Sequence, residues 1–151
     1  MKIRLLKIAD MKHALELVWR VFLEFEAPEY TEKGVNEFKA FISHDSIIEK
    51  MKLGVIVFWG WYENGVLTGV IALRDLHHIC LLFVDKAHHR RGIARGLYQK
   101  AMQHCQSRGA KIITVNSSPY AAEAYRRLGF VDTDVEQTIN GIRFIPMEHR
   151  L

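Results

Sequence analysis

The chain has 151 residues, of which 49% are hydrophobic and 25% charged, proportions of a soluble globular domain with one sizeable core rather than of a disordered or fibrous chain. Its formal net charge is +4, but the arginines gather at one turn instead of spreading along a face, so nucleic acid is not the expected partner. No signal-peptide or membrane-spanning pattern follows Met1, and Cys80 and Cys105 are the only cysteines; the expectation is a single domain over 1–151, cytoplasmic, without disulfides and without a membrane partner.

In chain order, residues 2–6 read as a strand. Asp10 is a suitable N-cap for a helix whose Met11, Leu15, Val18, Phe22 and Phe25 repeat at 4-3-4-3 spacing, and Pro28 ends it. A second helix begins at Thr31 with Val35, Phe38, Phe41 and Ile42 on one side, and a shorter one follows to Lys52. Residues 55–62 and 66–73 are strands joined by the two-residue turn Asn64-Gly65, and 77–84 is a third strand completing an antiparallel meander.

After that strand comes a basic loop, and Gly92 then opens a helix in which Ile93, Leu97, Ala101 and Cys105 keep one face apolar. A helix start presents backbone N–H groups without intrahelical partners. Gly92 and Ala94 keep side chains away from those groups, and Arg90, Arg91 and Arg95 add positive charge around them, so the expected ligand is a phosphate. The plainer alternative for the same residues is a solvated basic helix start. Gly109 closes the helix, and 112–115 is a buried strand expected to run parallel to the one ending at Val84. Ser118-Pro119 begins a further helix with Ala121, Ala124, Tyr125 and Leu128 inward and Gly129 at its end, and a last hairpin turns at Asn140-Gly141. Pro146, inside that hairpin's second strand, is expected at a bulge or beyond the pairing, because proline cannot donate to a sheet ladder.

The stretch His89-Arg90-Arg91-Gly92-Ile93-Ala94, read with Val84 before it and Tyr125-Arg126-Arg127-Leu128-Gly129-Phe130 after it, resembles the acyl-CoA-binding core of the GNAT superfamily of N-acetyltransferases. The family loop reads Gln/Arg-x-x-Gly-x-Gly/Ala; here His89 stands at the first position and Gly92 and Ala94 at the small ones. The resemblance implies an α/β fold with a mixed, mostly antiparallel sheet flanked by helices, and a pair of splayed strands that admits acyl-CoA. It implies acetyl-CoA as cosubstrate, held by Leu82, Phe83, Val84, the loop and helix start from His89 to Arg95, Ser118 and Tyr125. It also implies an amine acceptor, and a homodimer is common among such proteins.

Acyl transfer from a thioester to an amine needs a proton acceptor for the amine, a donor for the oxyanion and a proton for the leaving thiolate. By resemblance, the Leu82 amide is the oxyanion donor and the Tyr125 phenol the acid, although 125 also lies on an apolar helix face where a tyrosine can be simply core. His78 occupies a position where some members carry a base, and strand alternation sets His78, Cys80 and Leu82 on one face. A structural histidine is the alternative. Glu24, Glu26 and Tyr30, at the end of the first helix and beyond, are candidates to hold a cationic amine. Nucleophilic catalysis by Cys80 beside His78 is disfavoured, since neighbours two apart on a strand rarely align for proton transfer. The histidines lack metal-ligand spacing and partners, so no metal is expected. A non-catalytic acyl-CoA-binding or sensing domain is the competing reading.

Overall fold

The computed structural model describes residues 2–151. The chain runs β1 (Ile3–Leu5), α1 (Met11–Phe25), α2 (Glu32–Phe41), α3 (His44–Lys52), β2 (Ile56–Glu63), β3 (Val66–Arg74) and β4 (His78–Val84). It continues through α4 (Ile93–Ser107), β5 (Ile112–Ser117), α5 (Ala122–Leu128), β6 (Val131–Asp132), β7 (Gln137–Ile139) and β8 (Ile142–Arg150). The strands form one mixed sheet in the order β1-β2-β3-β4-β5-β8-β6, with β7 also on β8. Among the described residues β4–β5 is the one parallel pair. No helix of the described residues is long and apolar enough to cross a membrane.

Helices cover both faces of the sheet, which explains why its central strands are apolar without interruption. On β3, Val70 and Ala72 join Val18, Phe22, Ile47 and Phe58 on the face of the first three helices. Ile71 and Leu73, one residue out of phase, join Leu97, Ile113, Tyr125 and Phe130 beneath α4 and α5. Each such fully buried side chain contributes roughly 1.5–3 kcal/mol relative to exposure.

Three local expectations are corrected. The Asp10 carboxylate does not cap α1; it accepts the Lys7 N–H at 2.7 Å and closes a 3-10 turn that leads into the helix. Ser118 likewise caps one turn early: its Oγ accepts the Ala121 N–H at 3.1 Å, and α5 starts only at Ala122. Pro146 lies within the β5–β8 ladder opposite Asn116, neither at a bulge nor beyond the pairing. Its carbonyl accepts the Thr133 N–H at 2.8 Å, so the missing N–H faces the outer side of β8. There the β6 register continues to Thr133 opposite Pro146, and the one bond lost is the reciprocal one that a Pro146 N–H would donate, at the point where β6 ends.

The glycine within α2 has a packing cause. A Cβ on Gly34 would run into the Gly141 carbonyl, and Thr31, whose Oγ1 accepts the Gly34 N–H at 3.2 Å, donates its own N–H to that carbonyl at 3.3 Å. The start of α2 is thus locked onto the β7–β8 turn. Gly34→Ala is expected to destabilise the protein by about 1–3 kcal/mol through overpacking, read as a lower denaturant midpoint; an unchanged midpoint would show that the two segments are not packed this tightly.

Candidate active site

The site begins where β4 and β5 part. They pair only at His78 with Thr114 and Ile79 with Val115. At the next residue β4 carries a bulge: Leu81 pairs with Ala72 and Ile79 with Leu73, leaving Cys80 unpaired. A bulge bends and twists its strand, and here it coincides with the end of the β4–β5 ladder. It also shifts the alternation, so that Leu82 packs towards α4 and α5. Thr114, between the inward Ile113 and Val115, lies on the opposite face, and His78 bonds its Oγ1 through Nδ1 at 2.8 Å. His78 and Leu82 therefore do not share a face, contrary to the simple period of two.

Beyond the bulge the backbone of β4 is free on the β5 side. Asp85 N–H bonds the Thr68 carbonyl across β3 at 2.7 Å, and Phe83 and Leu81 follow in the same phase. The N–H and C=O groups of Leu82 and Val84 consequently face the gap. Val84 carbonyl is taken by His89 Nε2 at 2.7 Å, and the His89 ring lies 5.2 Å from that of Phe25. The His89 imidazole is thus committed to β4, while its backbone enters the loop.

That loop delivers the start of α4 to the same end of the gap. Gly92 has φ +79°, and a Cβ there would meet nothing within 4 Å, so the space above the helix start is open. The first intrahelical bond is Gly96 N–H to Gly92 carbonyl, which leaves the amides from Gly92 to Arg95 available to an anion. Arg90 and Arg91 are exposed and make no ion pair among the described residues. Arg95 instead reaches the Arg127 carbonyl at 3.2 Å, tying α4 to the end of α5. The arrangement suits a pyrophosphate.

Next to the bulge the parting strands enclose a cavity of about 200 Å³, lined by Glu26, Tyr30, Phe38, Arg74, His78, residues 79–83, Ser118 and Tyr125, among others. Tyr125, His78, Leu82, Ser118, Glu26 and Tyr30 are thereby brought together. Glu24 is not; it is exposed and pairs with Lys86 at 3.1 Å. Phe38, Phe41 and Arg74 escaped sequence reasoning, although the apolar spacing of α2 marks the two phenylalanines as inward. Glu29 carboxylate accepts the Tyr120 N–H at 3.0 Å, fixing the loop of Glu26 against the start of α5.

The electrostatics separate the candidate bases. Glu26 is half-buried with its carboxyl shielded from water, and this desolvation, reinforced by Glu29 and tempered by the Ser118 hydroxyl, raises its pKa to about 7. His78 moves the other way: burial, with Arg74 beside it, lowers its pKa to about 4. Tyr125 is 6% exposed, and burial together with the nearby Glu26 pushes its phenol well above the usual range, so it keeps its proton. Cys80 is pushed up to about 12 by burial and stays a thiol, which removes the thiolate that nucleophilic catalysis would need.

No curated protein matches the sequence. Among solved structures, a GCN5-related N-acetyltransferase from Rhodopseudomonas palustris is similar at 22% identity, with a TM-score of 0.85 over 99% of this chain and 94% of that one. PaiA N-acetyltransferase from Thermoplasma acidophilum, solved in complex with coenzyme A, is similar at 18% identity and TM-score 0.81 over all of both chains. An aminoglycoside 6'-N-acetyltransferase complexed with coenzyme A follows at 14% identity and TM-score 0.70, over 99% of this chain and 97% of that one. The family model described as an acetyltransferase (GNAT) domain matches residues 26–151, the span from the raised glutamate through the loop, the parted strands and Tyr125, and the chain belongs to that family.

Proposed function

We propose that this protein transfers an acetyl group from acetyl-CoA to a primary amine by direct attack in a ternary complex, with Glu26 as base, the Leu82 amide as oxyanion donor and Tyr125 as acid. The observation that carries the reading is that these three groups meet in one cavity, at the point where β4 leaves β5. The residues present fit the cosubstrate: open space over Gly92, helix-start amides up to Arg95, exposed Arg90 and Arg91 for phosphates, and a strand gap leading from them to Tyr125. When bound, acetyl-CoA supplies the activated acyl group.

The protein's own part follows from chemistry. An acceptor amine with a pKa near ~10 arrives protonated. Glu26, poised near neutrality, accepts that proton, which His78 with a pKa of about 4 is too weak a base to hold. As the nitrogen lone pair forms the bond to the acyl carbon, charge develops on the carbonyl oxygen, and the Leu82 N–H donates to it from the unpaired edge of β4. The C–S bond then breaks, the Tyr125 hydroxyl gives its proton to the sulfur, and the second proton of the former ammonium leaves the nitrogen for the phenolate, so that the amide forms and the hydroxyl is restored. Burial keeps that hydroxyl protonated at neutral pH.

Tyr125→Phe tests this reading. It is expected to lower kcat about tenfold to several hundredfold with acetyl-CoA affinity nearly intact, because a general acid contributes on the order of a hundredfold and water substitutes in part. Wild-type turnover in the variant would return Tyr125 to a packing role.

A further inference from the structure

The cavity is charged oppositely at its two ends. Ser118 lies three residues beyond Val115, where β5 has parted from β4, and Glu26, within reach of the Ser118 hydroxyl and close to Glu29, lines the cavity at that end together with Leu82. Arg74 pairs with His78 and lines the opposite end. Because of the bulge, the four residues from His78 to Leu82 face only three of β3, Arg74 to Ile71, so about 10 Å separates the two ends at roughly 3.3 Å per residue.

Arg74 is exposed and makes no ion pair among the described residues. Lys50, the other cation acting on this end, spends its Nζ on the Ser46 hydroxyl at 2.7 Å and has no carboxylate partner there either. Asp75 is the one acid felt at the same end, and it follows Arg74 in the chain without bonding it. Phe38, Phe41 and Ile142 contribute apolar surface to the same cavity.

On this basis, and resting on the acyl-transfer reading above, we propose that the acceptor is a small primary amine bearing a carboxylate at its far end, with the carboxylate on Arg74, a methylene spacer along Phe38 and Phe41, and the amine at Glu26. The planar guanidinium suits a carboxylate. A diamine of equal length would set its second ammonium against Arg74 and Lys50, and a plain alkylamine would leave Arg74 without a partner, so both are discriminated against.

The test measures thiol release from acetyl-CoA with γ-aminobutyrate, ε-aminocaproate, n-butylamine and putrescine, in wild type, Arg74→Ala and Arg74→Lys, alongside calorimetric binding of acetyl-CoA. The wild type should favour the two amino acids at least about tenfold in kcat/KM. Arg74→Ala should raise their KM about 10- to 100-fold with little change in kcat, erasing the preference, and Arg74→Lys should restore part of it. Equal or better use of n-butylamine or putrescine by the wild type, or an Arg74→Ala effect that falls on all four amines alike or on none, would overturn the proposal. Acetyl-CoA binding with none of the four amines consumed would overturn it too while sparing the cofactor reading; absence of acetyl-CoA binding would overturn the acyl-transfer reading beneath it.

Discussion

Gly92→Glu is expected to abolish acetyl-CoA binding, raising Kd by a hundredfold or more. The position tolerates no ordinary side chain for two separate reasons. Its φ of +79° disfavours a Cβ, at about 1–2 kcal/mol, and the space above it, empty of protein, is where a pyrophosphate would approach the amides up to Arg95. A carboxylate there repels the ligand and competes for the same N–H groups, each worth about 1.5–3 kcal/mol to a charged acceptor. Gly92→Ala separates the causes, since it carries the backbone strain without the charge and should weaken binding far less. Calorimetry giving wild-type affinity for the Glu variant would place the phosphates elsewhere.

Glu26→Gln should lower kcat/KM by about 100- to 10,000-fold near neutral pH, the usual worth of a general base. The sign of the pH dependence follows from the raised pKa of about 7. Below it the carboxyl carries its own proton and cannot accept the amine's, so the rate should fall about tenfold per pH unit on the acid side; above it the carboxylate is free and the profile levels. The limb should disappear in Glu26→Gln, whose activity recovers only as the amine deprotonates itself towards pH ~10. His78→Ala should keep the limb, because a group held to about 4 is already unprotonated throughout that range. A limb that survives in Glu26→Gln and vanishes in His78→Ala would return the base to His78.

The open helix start at Gly92 was legible in the sequence because its signals are local: a glycine before the helix, a second small residue and clustered arginines. Tyr125 was legible through the residues around it, and the strand-helix-strand order of β4, α4 and β5 followed from a change of period. What escaped depends on partners far along the chain. The bulge at Cys80 exists only relative to β3, so alternation alone set His78 and Leu82 on one face when they occupy two. Glu26 and Glu24 looked equivalent at the end of a helix. Burial against Ser118 and Tyr125 distinguishes the first, and an ion pair with Lys86 removes the second. Arg74 reads as an ordinary charged residue at a strand end until the topology carries it to the cavity. Pro146 looked incompatible with a central strand because the side of β8 that its nitrogen faces, at the end of β6 rather than towards β5, is a matter of register, which no local pattern reports.

The central claim is that the cavity beside the bulge performs acyl transfer and does not merely hold acyl-CoA. The most direct measurement follows thiol release and product mass for the wild-type protein with acetyl-CoA and a panel of amines spanning small amines, amino acids, aminoglycosides, peptide termini and lysine peptides. Thiol release should depend on at least one amine and be matched mole for mole by an N-acetylated product, with initial-rate lines that intersect as a ternary complex requires. Tight acetyl-CoA binding with no amine-dependent release in any class would contradict it and identify the protein as a non-catalytic acyl-CoA-binding domain.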